Sequence, residues 1–346
     1  MSHARQSARL PENATIRRPL THLLGGAGHL TLTDMATRVG CSEEFAASFW
    51  LAMGFPHPAP DATCFTDADV DALKVWWGLA QSEQISPLTL ASLLRAQSHT
   101  TDRLVLWQVE ALVDENARRF DLDDTSARLL TLAKIDDLLD TLQGQVLYAW
   151  RRQMANLLVN TNAEVAWRGR DGDAGDAYPL TRTMGFVDMV AYTRRAAVLS
   201  SRQLADLVQR FELTARDVIS ARGGRVVKTI GDAILWIVHD LDTGADIVCD
   251  LIEALEAEPD MLAVRASLVC GRVVSRSGDI FGPSVNLASR LVDIVPGGQI
   301  FMDAATARAI AAMEDAHRFT CTQARLADLK GMGEVEAWRL ERTSRR

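Results

Sequence analysis

Several kinds of segment are missing from this 346-residue chain. It has no uninterrupted apolar run of about 18 residues, the length that crosses a bilayer as a helix. The stretch "AILWIV" is far too short. The first twenty residues, "MSHARQSARLPENATIRRPL", are basic but carry no apolar core of the kind a secretory signal needs. They read as a flexible arm. The five cysteines (Cys41, Cys64, Cys249, Cys270, Cys321) are odd in number, far apart and without a CxxC pair. That excludes a disulfide framework or a zinc ribbon and suits a reducing compartment. Basic residues are in the minority, 37 Lys and Arg against 45 Asp and Glu, for a net charge of −8. A general nucleic-acid binder is therefore disfavoured, and any polyanionic ligand needs a local cluster of cations or a metal. Together these absences predict a cytoplasmic protein with no transmembrane segment.

What is present divides the chain in two. At this length two domains are the natural expectation. From Thr31 to about Asn160 nearly every apolar position recurs at three and four, as in "DADVDALKVWWGLAQ" and "DRLVLWQVEALVDENARRF". Six of the eight tryptophans (Trp50, Trp76, Trp77, Trp107, Trp150, Trp167) fall in this half and predict a core there. The segment from Thr125 to Val159 reads as one long helix, or as two broken near Gly144. The expected organisation is an all-helical domain over 1–165, a linker over 166–180 rich in Gly and Asp, and a second domain over 181–346. In the second domain strands and helices alternate with hairpins, which predicts an α+β, ferredoxin-like split βαβ core.

Three carboxylates in that domain stand where carboxylates are awkward. Asp188 ends the apolar strand of "MGFVDMVAYT". Asp232 follows Gly231, the bend of a hairpin in "VVKTIGDAILW". Asp279 follows Gly278 in "SGDIFG". Any one alone is most simply a turn or cap residue. Asp188 and Asp232 together gain a metal reading, because the ferredoxin-like core makes their strands neighbours. Two carboxylates suffice for Mg²⁺, which keeps waters and takes phosphate oxygens as further ligands. On the helix in "GPSVNLASRL", Asn286 and Arg290 are four apart and share a face. An amide beside a planar guanidinium suits charge developing on a phosphorus centre.

The segments "GFVDMVAYT", "VVKTIGDAILW" and "DIFGPSVNLASR" resemble, in order and spacing, the three core motifs of class III nucleotidyl cyclases. "LKGMGEVEAWRL" resembles their C-terminal Lys-Gly motif. The resemblance covers about residues 180–342 and implies the cyclase fold in head-to-tail dimers with active sites at the interface. It makes Asp188 and Asp232 the ligands of two Mg²⁺ or Mn²⁺ ions per site. It makes Lys228 and Asp279 the readers of adenine, Asn286 the ribose contact, Arg290 the transition-state cation and Lys330 the ligand of the β- and γ-phosphates. Lys with Asp matches the acceptor and amine on adenine's edge, so ATP is the implied substrate and cyclic AMP the product. Ala191, Tyr192, Pro283 and Met332 depart from the usual pattern, which touches rate and regulation.

The first half offers less. "TLTDMATRVGCSEEFAASFWLAMGF" resembles a helix-turn-helix of the winged, mercury-regulator type, with Ala36, Gly40 and Ser42 at the turn. Yet from Gly28 to Ala80 only Arg38 and Lys74 are basic, against seven carboxylates, so no DNA binding is expected. The family resemblance implies instead an autoinhibitory module that responds to pH, with an apolar effector pocket among the helices as a further option. The rival readings are a catalytically weak nucleotide-binding sensor and a transcription regulator.

Overall fold

The structure, a computed structural model, describes residues 14–343 apart from 83, 169–179 and 277. Two compact units divide the chain at Arg170/Asp171. Most of the expected linker, like the first thirteen residues of the expected basic arm, lies outside the described residues. From Ala14 the arm is already helix, a correction to the sequence reading.

The first unit is helical. Its elements are α1 (Ala14–Leu24), α2 (Leu32–Val39), α3 (Glu43–Ala52), α4 (Asp67–Gln81), α5 (Pro87–Phe120), α6 (Asp124–Lys134) and α7 (Leu139–Arg168). Their starts are written in the sequence. Thr31 and Asp34 form a capping box on α2, Ser42 caps α3, and Ser86 with Pro87 opens α5. Gly40 ends α2 in the left-handed conformation, so α2 and α3 make the expected helix-turn-helix. Leu30, Met35, Phe49, Phe65 and Leu73 are its buried centre, and Trp50 stacks on Phe55.

One expectation fails here and another holds in part. The break in the long helical segment is a 3-10 turn at Ile135–Leu138, and α7 runs straight through Gly144. A single exposed glycine costs a helix only about 1 kcal/mol against alanine, too little to stop it. The expected core is present, with Trp50 and Trp76 packed against it, but it does not take in every tryptophan. Trp107 and Trp150 are 53% and 60% exposed, because α5 and α7 turn long apolar faces outward.

The second unit is the α+β domain. Strands β1 (Leu180–Met189), β2 (Arg225–Ile230), β3 (Ala233–Val238) and β4 (Val264–Arg276) are joined through α8 (Tyr192–Ala196), α9 (Ser201–Ala221) and α10 (Leu241–Ala257). They line up β2-β3-β1-β4, the split βαβ order. The sheet continues through β6 (Ile300–Asp303), β8 (Gly333–Arg342) and β7 (Phe319–Leu329), while the short β5 (Asp279–Phe281) pairs with β4 alone. Helix α11 (Pro283–Asp293) precedes β6 and α12 (Ala304–Ala311) follows it.

Alternation along the strands splits the core into two layers. Val187, Ile234 and Trp236 face α9 and α10, whereas Met184, Phe186 and Leu235 face α11. A Cβ on Gly185 would lie 2.2 Å from the Ser267 carbonyl oxygen and 2.8 Å from the ring of Trp236. The first motif therefore needs glycine there for strand packing. Behind the sheet, the buried carboxylate of Asp246 on α10 accepts from Arg222, Arg318 and Arg342, tying α10 to the end of α9 and to β8.

Candidate active site

Asp188 is the penultimate residue of β1 and only 7% exposed. Its strand neighbour on β3 is Ala233, so Asp232, in the turn before Ala233, comes to the same end of the sheet. Gly231 has a φ of 62° and Asp232 is not among the positive-φ residues, as a two-residue type II′ hairpin requires. The Met189 amide donates to the Asp232 carbonyl at 3.1 Å and locks the turn beside the end of β1.

Sequence reading missed the third member of this group. Arg265 sits opposite Asp188 on β4, and its Nε and Nη2 donate to Asp188 Oδ2 at 2.8 and 2.6 Å. Its Nη1 donates to the Asp293 carbonyl at 2.8 Å, closing the C-terminus of α11. The signal was a lone arginine inside the apolar strand "LAVRASLV". Burial still pushes the Asp188 carboxyl above the ordinary carboxylate range, despite Arg265, with Asp232 and Asp293 pushing the same way. Arg265 occupies Oδ2 of Asp188, and with Asp232 in the adjoining turn the two carboxylates are the residues that could hold a hard divalent cation. Among the described residues no group of three or more His, Cys, Asp or Glu forms a complete metal cage. A pair of carboxylates is a donor set that Mg²⁺-like ions can complete with water and phosphate.

Lys228 and Asp279 also meet. Lys228 Nζ donates to Asp279 Oδ2 at 2.6 Å, and Oδ1 of the same carboxylate accepts from the Ile280 amide at 2.8 Å. Asn286 and Arg290 are exposed on α11, whose Val285, Ala288 and Leu291 are buried and fix its roll. Arg290 Nη1 lies 3.6 Å from Asp293 Oδ2, a loose surface pair. Lys330 is exposed in the turn between β7 and β8, at the edge of the sheet opposite β2. The structure thus brings Asp188 and Asp232 to the same end of the sheet, bonds Lys228 to Asp279, and leaves Lys330 apart from both pairs within one chain.

The sequence pattern of the adenylate and guanylate cyclase catalytic domain matches residues 181–342. An adenylate cyclase of Glutamicibacter nicotianae is 35% identical over 325 residues, covering 92% of this chain and 80% of that protein. The chain belongs to the class III adenylate and guanylate cyclase family. An adenylate cyclase of Streptomyces coelicolor is 33% identical, with 92% of this chain and 88% of that protein covered. A Mycobacterium tuberculosis protein named a pH-sensitive adenylate cyclase is 27% identical over 94% of this chain and 81% of its own length. No helix among the described residues is long and apolar enough to cross a membrane.

The geometry shows what two departures from the cyclase pattern do: one carries a conformational cost and the other carries none. Ala191, where glycine is usual, has a φ of 59° and so holds a left-handed conformation that disfavours a Cβ. Pro283 occupies the first turn of α11, where a missing N–H is harmless and its fixed φ suits the helix.

Proposed function

We propose that this chain is an adenylate cyclase that converts ATP to 3′,5′-cyclic AMP and pyrophosphate in sites shared between two head-to-tail copies. The observation that carries the choice of ATP is the Lys228–Asp279 pair at 2.6 Å. An ammonium donates to a purine ring nitrogen and the carboxylate accepts from an exocyclic amine, which is adenine's polarity. Guanine's O6 and N1–H present the reverse.

In the reaction the 3′-oxygen bonds to the α-phosphorus while the bond from that phosphorus to the α–β bridging oxygen breaks. Pyrophosphate leaves with the electron pair, and the hydroxyl proton passes to Asp188 or solvent. Asp188 and Asp232 would hold Mg²⁺ or Mn²⁺, two ions per site, and the chemistry these would supply is a lowered pKa of the 3′-hydroxyl and neutralisation of phosphate charge. Asn286 orients the ribose, Arg290 lends its guanidinium to charge growing on the phosphorus oxygens, and Lys330 takes the β- and γ-phosphates. Turnover is assigned to the cytoplasm, in keeping with five free cysteines.

The helical unit is assigned a pH-responsive regulatory role. Support comes from the name of the mycobacterial relative and from His22 on α1. Its Nδ1 lies 3.1 Å from Asp136 and its Nε2 3.0 Å from Asp140, while Arg18 also binds Asp136 at 2.7 Å. Only the imidazolium donates from both nitrogens. The helix-turn-helix is assigned no DNA contact, since Arg38, one of the two basic side chains from Gly28 to Ala80, is already paired with Asp67 at 2.7 Å.

The test is the purified full chain incubated with ATP or GTP and Mg²⁺ or Mn²⁺, with products separated by chromatography. Cyclic AMP is expected, with kcat/KM favouring ATP at least about tenfold. Asp188→Ala should abolish turnover while the chain stays folded by circular dichroism. A preference for GTP, or no cyclic nucleotide from either, overturns the reading.

A further inference from the structure

Asp279 stands on a strand set off from the main sheet. It opens β5, three residues long, which pairs only with β4 through Arg276–Asp279, Ser275–Ile280 and Val274–Phe281. The residue before it, Gly278, has a φ of 78°. A side chain that must meet a base edge to within a few tenths of an ångström stands on a ribbon outside the main path of the sheet.

Arg225 supplies an anchor for this ribbon from outside it. It is the first residue of β2, and its Nη1 donates to the Gly278 carbonyl at 3.0 Å. Arg225 and Lys228 are three apart, a spacing that puts side chains on opposite faces of a regular strand. A β-bulge between Val226 and Lys228 removes that conflict. Arg225 pairs with Ile237 and Lys228 with Leu235, two positions on the same face of β3. Both cations of β2 thereby reach the β4–β5 hairpin. One binds the carboxylate of Asp279 and the other the carbonyl just before it. Arg225 bonds to a neutral oxygen, so the charge of Asp279 stays committed to Lys228. A bulge of this kind re-aims a side chain at the expense of a regular ladder.

We propose that Arg225 is a positioning residue for nucleotide selection, holding the Gly278 carbonyl so that Asp279 stands in register with Lys228. This rests on Lys228 and Asp279 reading the purine. Arg225 touches no reacting atom, and its loss acts on recognition of the base more than on the chemical step.

The experiment compares Arg225→Met, Arg225→Lys, Asp279→Ala and the double variant Arg225→Met/Asp279→Ala in full-length protein. KM and kcat are measured for ATP and GTP, with thermal melting alongside. Arg225→Met should raise KM for ATP about tenfold, equivalent to about 1.4 kcal/mol. It should also lower the ATP-to-GTP ratio of kcat/KM, with kcat changing less than KM and the melting temperature close to wild type. Arg225→Lys, which keeps a donor, should recover part of the ratio. The double variant should be no less selective than Asp279→Ala alone, because both changes act through one group. If Asp279→Ala collapses selectivity while Arg225→Met leaves KM and the ratio at wild-type values, the role of Arg225 is refuted and the purine reading stands. If Asp279→Ala itself leaves the ratio unchanged, the purine reading falls and this inference with it. A loss of kcat in Arg225→Met with KM and the ratio unchanged also refutes the positioning role.

Discussion

Mixing two inactive variants decides whether a site is built from one chain or two. The single chain does not make the answer obvious. Arg265 bridges Asp188 to the end of α11, and Arg290 lies one turn from that end, beside Asp293. A site within one chain, with Arg290 serving its own Asp188, is therefore a physical competitor. Lys330, at the sheet edge opposite Lys228, favours the shared site. Consider Asp188→Ala and Arg290→Ala. Each homodimer lacks one required group in both sites, and loss of a single charge-stabilising donor already costs about 10²–10³-fold in kcat. Each should therefore fall to about 1% of wild type or lower. In a head-to-tail heterodimer both lesions fall in the same site and the other site is intact. Random pairing of equal amounts gives roughly half heterodimers, each with one of two sites working, so the mixture should show roughly a quarter of wild-type activity. Purified heterodimer should reach about half. Co-expression with two different affinity tags, tandem purification and a cyclic AMP assay provide the measurement. Isolated heterodimer with activity no greater than either homodimer would refute the shared site and leave Asp188 and Arg290 acting within one chain.

Three further outcomes follow from local geometry. Ala191→Gly removes the penalty of roughly 1–2 kcal/mol for a left-handed alanine and adds back about 0.5–1 kcal/mol of unfolded-chain entropy, for a net stabilisation of about 0.5–1 kcal/mol in denaturant melts. Gly185→Ala should instead destabilise the catalytic unit by about 3 kcal/mol, since the Ser267 backbone and the buried Trp236 cannot both retreat from the new methyl; a melt within 1 °C of wild type would contradict the packing. His22 has its pKa raised, first by its bond to Asp136 and then by that to Asp140. Its contribution to holding α1 is therefore full below the ordinary histidine range and fades as pH rises through the raised value, with Arg17, Arg18 and Asp137 lining the same surface. His22→Ala should lower the melting temperature of the full chain at acid pH and leave it unchanged at alkaline pH; an equal effect at both ends would remove the titration argument.

Much of this arrangement could be read in the sequence, and the remainder shows where sequence reading stops. The hairpin at Gly231 was legible because Val226–Ile230 and Ala233–Trp236 are β-formers around one glycine, and local turn chemistry is a property of neighbours. The strand order followed from alternation of strands and helices. Arg265 was missed because its meaning depends on the register between β1 and β4, which no local pattern encodes. Arg225 was missed for a similar reason. On a regular strand it faces away from Lys228, and only the bulge brings the two together. The break before α7 was misplaced because Gly144 weakens a helix without ending it. The outward tryptophans show that helical period identifies an apolar face but not what covers it.

The distribution of charge explains how an acidic chain can handle a tetraanionic substrate. The cations of the site fall into three kinds. Lys228 is matched by Asp279, so this pair is close to neutral and suits an uncharged base, where an unbalanced charge would be costly to desolvate. Arg265 is held by a buried carboxylate and a helix terminus, which gives it a fixed position. Arg290 and Lys330 are exposed, the first only loosely paired at 3.6 Å and the second without an ion pair among the described residues. These two have the least to give up when phosphate arrives, and they are the two assigned to phosphate. Each group's existing partner thus sorts it by the charge of what it is to meet. On the proposed assignment a net charge of −8 over the whole chain is no obstacle, because the deciding field would be set over a few ångströms by Arg290, Lys330 and the cations that Asp188 and Asp232 would hold.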